Sequence, residues 1–515
     1  MNDKKSLVLA NSIEDETFDM DPEEIRQIGY HSVDLIVNYL KNIRKEPILP
    51  RKTYKQIKDL IIEPLPKYEQ NPRNVLNECQ GKIIDNSVKI GHPRLLGWIT
   101  TSGTIIGAFA DGISSAINQN VSLSGVAMAT SVELLVIEWI KEILDYDSNA
   151  AGILLSGGSM ANFTALAVAR NTKADFNVKT QGMNQNNKNM ILYVSEQVHM
   201  CIPKAANLLG IGTNNIRKVK IDQDYRLDLN DLKAKIIEDR NHHKYPFAVV
   251  ASAGTVNTGA IDPLNDIADI CQDHNLWFHV DAAYGGFAAL SKNVKTHLKG
   301  LNRADSIALD PHKWLYIPYE AGCVLIKNPK NILDTFFMDA TYLHVKTSGS
   351  PNKYMDLSDY SLQLSRQFRA LKIWMSLKQY GTKKYERIIN QNIHQAQYLE
   401  ALVNESSDFQ AITSANLSTF CFRYIPKDLN QSYQIMNHNK QKQINKYLNQ
   451  LNQAIMKKML EDSQILTSST VLNDIFALRV CIVNYRTTKQ DIKNILTILR
   501  KLGQIIDKKL RKKQY

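Results

Sequence analysis

The stretch ADSIALDPHK (Ala304 to Lys313) is a short apolar strand followed by a proline, a histidine and a single lysine. Upstream of it, WFHVD (Trp277 to Asp281) is a second apolar strand that ends on an aspartate. In a parallel sheet both side chains would emerge at one edge, where such folds place their ligands. An amine at that edge can hold an aldehyde as a Schiff base, and one flat ring could then touch the lysine and the aspartate together. Desolvation and neighbouring cations predict a lowered Lys313 pKa, and with it a usable nucleophile toward a carbonyl.

Outward from these two strands the pattern alternates over roughly residues 95 to 385. Strand-like AGILLS, MILYVS, RKVKI, FAVVASAG and CVLIK are interleaved with helical SVELLVIEWIKEIL, ANFTALAVARNTKADF, CIPKAANLLG, LNDLKAKIIEDR and DPLNDIADICQDH. This alternation predicts a mainly parallel sheet covered on both faces. Upstream, DPEEIRQIGYHSVDLIVNYLKNI opens on Asp21-Pro22 with acids in its first turn and repeats apolar residues at near-helical spacing. That helix and KTYKQIKDLI are too small to bury their apolar faces alone, so they are expected to pack on a partner surface. After about 385 come long polar helices with strand-like STFCFRYI and FALRVCIVNYRTT, which read as a smaller α+β lobe.

With 515 residues, 44% hydrophobic and 22% charged, the chain has the composition of an ordinary globular protein. Its start, MNDKKSLVLANSIEDETFDMD, has too short an apolar run for a signal peptide, and no stretch stays apolar long enough to span a bilayer, so a cytoplasmic enzyme is expected. Six scattered cysteines without a CxxC pair suggest neither a disulfide framework nor a zinc site, and Cys271 with His274 lacks a second ligand pair; no metal is expected. The formal charge of +12 is partly a tail: KLGQIIDKKLRKKQY carries six Lys/Arg against one Asp. No nucleic-acid motif accompanies that charge, so a solvated surface is expected rather than a nucleic-acid or membrane partner.

Several further residues fall at strand ends. Gly157-Gly158-Ser159, between AGILL and a helix, forms a turn with free N–H groups at the positive end of the helix dipole, a place for a phosphate or simply a strand-to-helix turn. Asp281 is followed by Ala282, Ala283 and Tyr284-Gly285-Gly286, which leave room for a ring. An anionic carboxylate beside a pyridine nitrogen keeps that nitrogen protonated and electron-drawing; a turn-capping aspartate is the ordinary alternative. His199, after ILYVS, places an aromatic ring at the sheet edge for stacking or for plain capping. Thr255, in ASAGTVNTGAIDPL, offers a hydroxyl to a ring substituent or to its own turn.

As an ordered set, FDMDPEEIRQIGYHSVDLIVNYL, GHPRLLGW (91 to 98), SGGSMAN, SEQVH, TVNTGAIDPL, HVDAAYGG, ADSIALDPHKWL, LSRQFRALKIW (364 to 374) and RVCIVNYRTT resemble the group II pyridoxal-phosphate-dependent amino-acid decarboxylases, which include the aromatic amino-acid, histidine and glutamate enzymes. The resemblance implies an α/β fold of type I for such enzymes, with a seven-stranded sheet. It implies a helical dimerisation segment over 1–95, a large cofactor-binding domain over 96–385, a small α+β domain over 386–515, and a homodimer. It also implies that Lys313 carries the cofactor aldehyde, that Asp281 pairs with the ring nitrogen, and that His199 stacks on the ring with Ala283 beneath it. Phosphate contacts are implied from Gly158, Ser159, Ser306 and His312, with Thr255 near the ring hydroxyl or carboxylate. A tyrosine on a loop after the lysine protonates the carbanion in this group; the match is Tyr342 in MDATYLHVKTSGSPNKY, where a phenylalanine would have suggested aldehyde formation.

Trp98, Thr101 and Ser365 are the implied substrate contacts. Gly97-Trp98-Ile99-Thr100 departs from the aromatic-rich stretch of the animal aromatic enzymes, Asp310 stands at their asparagine, and Ser365 stands at their glycine as in histidine-type members. Arg94 matches acidic-substrate members, but Trp98 replaces their polar pocket residues. The flat apolar wall of Trp98 favours an aromatic amino acid. An acidic amino acid, histidine, aldehyde-forming oxidative deamination, or an inactive basic binding protein on the same scaffold are the alternatives.

Overall fold

The computed structural model describes residues 17–122, 127–183, 189–338, 356–433 and 437–511. The chain divides into two compact units, Met1–Lys89 and Ile90–Tyr515.

The first unit carries helices α1 (Pro22–Asn42), α2 (Tyr54–Ile61) and α3 (Pro72–Glu78). Each starts where a cap is available. Asp21 accepts from Glu23 N–H at 2.8 Å with Pro22 in the first turn, Thr53 and Gln56 form a capping box, and Asn71 caps ahead of Pro72. Of the apolar residues expected to share one face of α1, Ile25, Val33 and Val37 are exposed and Ile28, Ile36 and Leu40 half-buried, while the one buried residue of the helix is Leu35, outside that set.

The second unit is built on a seven-stranded sheet. Its strands are β1 (Ala151–Leu155), β2 (Met190–Ser195), β3 (Ile216–Val219), β4 (Tyr245–Ser252), β5 (Trp277–Asp281), β6 (Ser306–Leu309) and β7 (Gly322–Ile326), in the order β1-β7-β6-β5-β4-β2-β3. All neighbours from β6 to β3 are parallel, whereas β7 runs antiparallel to both β1 and β6. β1 therefore points the same way as the parallel strands and ends at the same edge. Residues of β1, β2, β5, β6 and β7 are buried throughout, as expected for a sheet with helices on both faces. Those helices include α4 (Ile105–Ile117), α5 (Met128–Leu144) and α6 (Gly158–Lys173), which share one apolar core with the sheet.

The small lobe holds an antiparallel sheet, β10-β11-β9-β8, of β8 (Phe409–Ala411), β9 (Thr419–Tyr424), β10 (Ser468–Leu472) and β11 (Ile475–Cys481). It packs with α7 (Ala370–Asn404), α8 (His438–Asp462) and α9 (Lys489–Arg511) around a second core. Both expected domain boundaries fall inside continuous structure. Leu96 donates to Leu466 O and accepts from Cys481 N–H, so residues on both sides of position 95 belong with the small lobe. Position 385 lies within α7, just past a kink at Gly381, whose φ of +62° is a glycine conformation.

Candidate active site

The β-strand ends bring the chemistry together. Lys313, Asp281, His199, Thr255, Ala283 and Gly158 line one cavity, reached from β6, β5, β2, β4 and the β1–α6 turn at the carboxyl edge of the parallel strands. Size does not single this cavity out. Clefts of about 1090 Å³ beside Asn177 and Asp334, and of about 930 Å³ beside His297 and Glu400, are larger, but neither includes Lys313 or Asp281.

Lys313 sits on a one-turn helix that Pro311 starts, and its Nζ lies 2.9 Å from Asp310 Oδ2. This corrects the expected direction of its pKa. Burial pulls the ammonium down, but the carboxylates of Asp310 and Asp281 outweigh burial and leave Lys313 raised. Asp281 is raised by burial, against the pull of Lys313, the Ala283 N–H at 3.1 Å and His199. His199 is lowered by burial; its Nδ1 accepts from Cys201 N–H at 3.3 Å, which fixes the ring at the start of the next helix. The Thr255 hydroxyl lies 2.9 Å from that of Thr258 within its turn. His312 is also lowered by burial; its Nδ1 accepts from Ala321 N–H at 3.2 Å and its ring packs 4.5 Å from Tyr319.

Ser306 does not reach this edge. It pairs with His279, two residues behind Asp281 on β5, and its hydroxyl is taken up in a buried chain. Trp277 Nε1–H donates to Ser306 Oγ at 2.8 Å, and Ser306 Oγ lies 2.8 Å from His279 Nδ1. His279 Nε2 is 2.7 Å from Asn162 Oδ1, and Asn162 Nδ2 donates to Gly158 O at 2.8 Å. Because Asn162 Nδ2 donates to the Gly158 carbonyl, its Oδ1 accepts from His279 Nε2–H. Burial pushes the His279 pKa down to about 4, and the neutral ring then has its proton on Nε2 and accepts from the Ser306 hydroxyl at Nδ1. The expected Ser306 phosphate contact is thus replaced by a structural one that ends on the Gly158 turn.

Ser159 is exposed on the first turn of α6. Trp98, Thr101 and Ser365 are not in the cavity lining: Trp98 is exposed with a φ of +58°, Thr101 is buried elsewhere, and Ser365 is exposed in a separate cleft with Asn120. Tyr342 and the GSPNKY loop lie outside the described residues.

The pyridoxal-dependent decarboxylase conserved domain matches residues 55–425. The chain belongs to that family. An aromatic-L-amino-acid decarboxylase of Bacillus atrophaeus is 33% identical over 95% of this chain and 97% of its own length. An aspartate 1-decarboxylase of Aliivibrio fischeri is 29% identical over 92% of this chain and 91% of its own length. The crystal structure of Oryza sativa TDC with PLP and tryptamine superimposes with a TM-score of 0.86 at 24% identity, covering 95% of this chain and 100% of the other. The chain is therefore a pyridoxal-phosphate-dependent carboxy-lyase that decarboxylates an amino acid.

The cavity fits that cofactor. It holds an amine for an aldehyde and a carboxylate for a ring nitrogen, and Gly158 brings bare backbone close to both neighbours: a Cβ there would lie 2.7 Å from Asp310 Oδ2 and 3.0 Å from Ala283 Cβ. Eight of the described lining residues were not among the expected site residues, Asp310 and Asn162 among them. These two carry a local signal: Asp310 precedes Lys313 by one helical turn, and Asn162 follows Gly158 by one.

Proposed function

We propose that the chain converts an aromatic L-amino acid to its amine and carbon dioxide, with Lys313 holding pyridoxal phosphate and Asp281 facing the ring nitrogen. The observation that carries this reading is the convergence of Lys313 and Asp281 in one cavity at the strand ends. Gly158 and Ser159 at the α6 N-terminus, with His312, would hold the phosphate, while His199 and Ala283 would flank the ring with Thr255 at its rim. Bound there, the cofactor supplies an electron-poor ring that takes up the electron pair of the bond broken when carbon dioxide leaves. The remaining work falls to side chains. Asp281, as a carboxylate, favours a proton on the ring nitrogen opposite it. The Lys313 nitrogen gives way to the substrate amine and takes up a proton as it does so. His199 shields one ring face from water, and Tyr342 returns a proton to Cα.

With Trp98 outside the cavity lining, the aromatic preference rests on the Bacillus relative; the Aliivibrio relative and Arg94 favour an acidic substrate instead. Carbon dioxide release from a panel of amino acids separates the two. Tryptophan, tyrosine and phenylalanine are expected to react, and release from aspartate or glutamate alone would sink the aromatic reading. In the same panel Tyr342→Phe is expected to lower amine formation by about 10²–10⁴-fold and, with dissolved dioxygen as the oxidant reduced to hydrogen peroxide, to shift product toward aldehyde and ammonia.

The exposed Ile25, Val33 and Val37 of α1 support a homodimer that covers this face, and a cytoplasmic location is our expectation. Among the described residues no helix is long and apolar enough to cross a membrane. Sedimentation at the mass of two chains is the expected result, and sedimentation at the mass of one chain would exclude the dimer.

A further inference from the structure

We propose that Asp310 is the counter-ion of the Lys313 nitrogen, a second acidic group of the site beside Asp281, and that it keeps that nitrogen protonated. The two carboxylates are held differently. Asp281 is tied to the Ala283 N–H at 3.1 Å and faces the ring position, whereas Asp310 Oδ2 lies 2.9 Å from Lys313 Nζ. The Asp310 side chain is almost fully buried, and its Oδ1 has no hydrogen-bond partner among the described residues. Its placement is steric as well as electrostatic. Gly158 leaves the space in which it stands, since a Cβ there would lie 2.7 Å from Oδ2.

Every other group around the nitrogen is weaker or farther. His312 Nε2 is 3.7 Å from Asp310 Oδ2, but burial keeps His312 toward its neutral form. His199, from the loop after β2, is likewise biased neutral by burial, and Cys201 on the following helix is pushed far up as a thiol. Tyr319 adds only an outer influence, which leaves Asp281 and Asp310 as the anions facing Lys313. Of these, Asp310 acts most strongly, both through charge and through its hydrogen bond. It is held near the lysine because Asp310 is the N-cap residue of the short helix Pro311–Trp314 that carries Lys313. When Lys313 carries the cofactor, the same nitrogen becomes the imine nitrogen, and an adjacent carboxylate favours its protonated, visibly absorbing form.

This inference rests on the proposed role of Lys313 as the cofactor lysine. The test is a pH titration of the visible absorbance of the cofactor-loaded full-length protein, without substrate. Asp310→Asn keeps the shape and removes the charge, so its band is expected to bleach about 1–2 pH units below the wild type. An unshifted midpoint overturns the proposal. Should the amide variant fail to fold, the wild type carries the test. A band that persists above about pH 8 supports a retained counter-ion, and bleaching below that pH overturns it. Lys313→Ala is the control that separates the two readings. If it still shows a covalently fixed cofactor, the Lys313 assignment itself is wrong; if it does not, and Asp310→Asn is unshifted, only the Asp310 assignment fails.

Discussion

Lys313→Ala is expected to lower carbon dioxide release by about 10⁴-fold or more, because the one amine among the described residues that line the cavity is gone. Borohydride, which fixes cofactor to the wild-type chain by reducing the imine, is expected to leave it dialysable from the variant. The side chain lines a cavity, so its removal opens space for a small amine, but it leaves the buried Asp310 carboxylate without its 2.9 Å partner and is expected to lower the melting temperature as well. A small primary amine in the buffer should therefore restore part of the activity. Near wild-type turnover without added amine, or covalent trapping at another lysine, would refute the assignment. Asp281→Asn should act differently, with the cofactor still fixed to Lys313 but turnover slowed by roughly 10²–10³-fold through loss of the charge opposite the ring.

The contrast between these two residues and the rest of the site explains what a sequence can show. Asp281 and Lys313 were legible because each closes or follows an uninterrupted apolar run, and parallel strands deliver their ends to one edge. Six of the seven strands of the large sheet were legible for the same reason; β3, read from RKVKI, has no apolar run and shows as alternation of charged and apolar residues beside its neighbours. The reversed direction of β7 was not, since GCVLI is equally apolar whichever way it runs. β8, only three residues long, and β10, SSTVL with alternate residues exposed, lack the apolar run altogether. Ser306 was misplaced because proximity to Lys313 in sequence says nothing about which hydroxyl a buried histidine claims. Its partners Trp277 and His279 come from the neighbouring strand. The raised pKa of Lys313 was hidden for a different reason: burial was foreseeable, but the carboxylate that overcomes it had been read only as a departure from an asparagine.

Arg366→Met should be among the most destabilising single substitutions in the large unit, at about 3–5 kcal/mol. β1 lies at the edge of the sheet and pairs only with β7, so the backbone groups on its outer side need other partners. Glu133 from α5 accepts the Leu154 N–H at 2.9 Å, and Arg366 Nη2 donates both to the Leu154 carbonyl and to Glu133. Both side chains are fully buried, 233 residues apart in sequence, so the pair replaces a missing strand with two side chains. Removing the guanidinium leaves Glu133 as an uncompensated buried carboxylate and the Leu154 carbonyl unmet; the methionine fills the stem's space but repairs neither. Adding Glu133→Gln to Arg366→Met should recover part of the loss, because the amide still accepts the Leu154 N–H without leaving a bare charge. Since Leu154 stands three residues before Gly157, the weakened strand end should also loosen the turn over which Asp310 sits, and cofactor should dissociate faster from the single variant than from the double. A thermal melt of Arg366→Met that coincides with the wild type would show that this pair carries no such load.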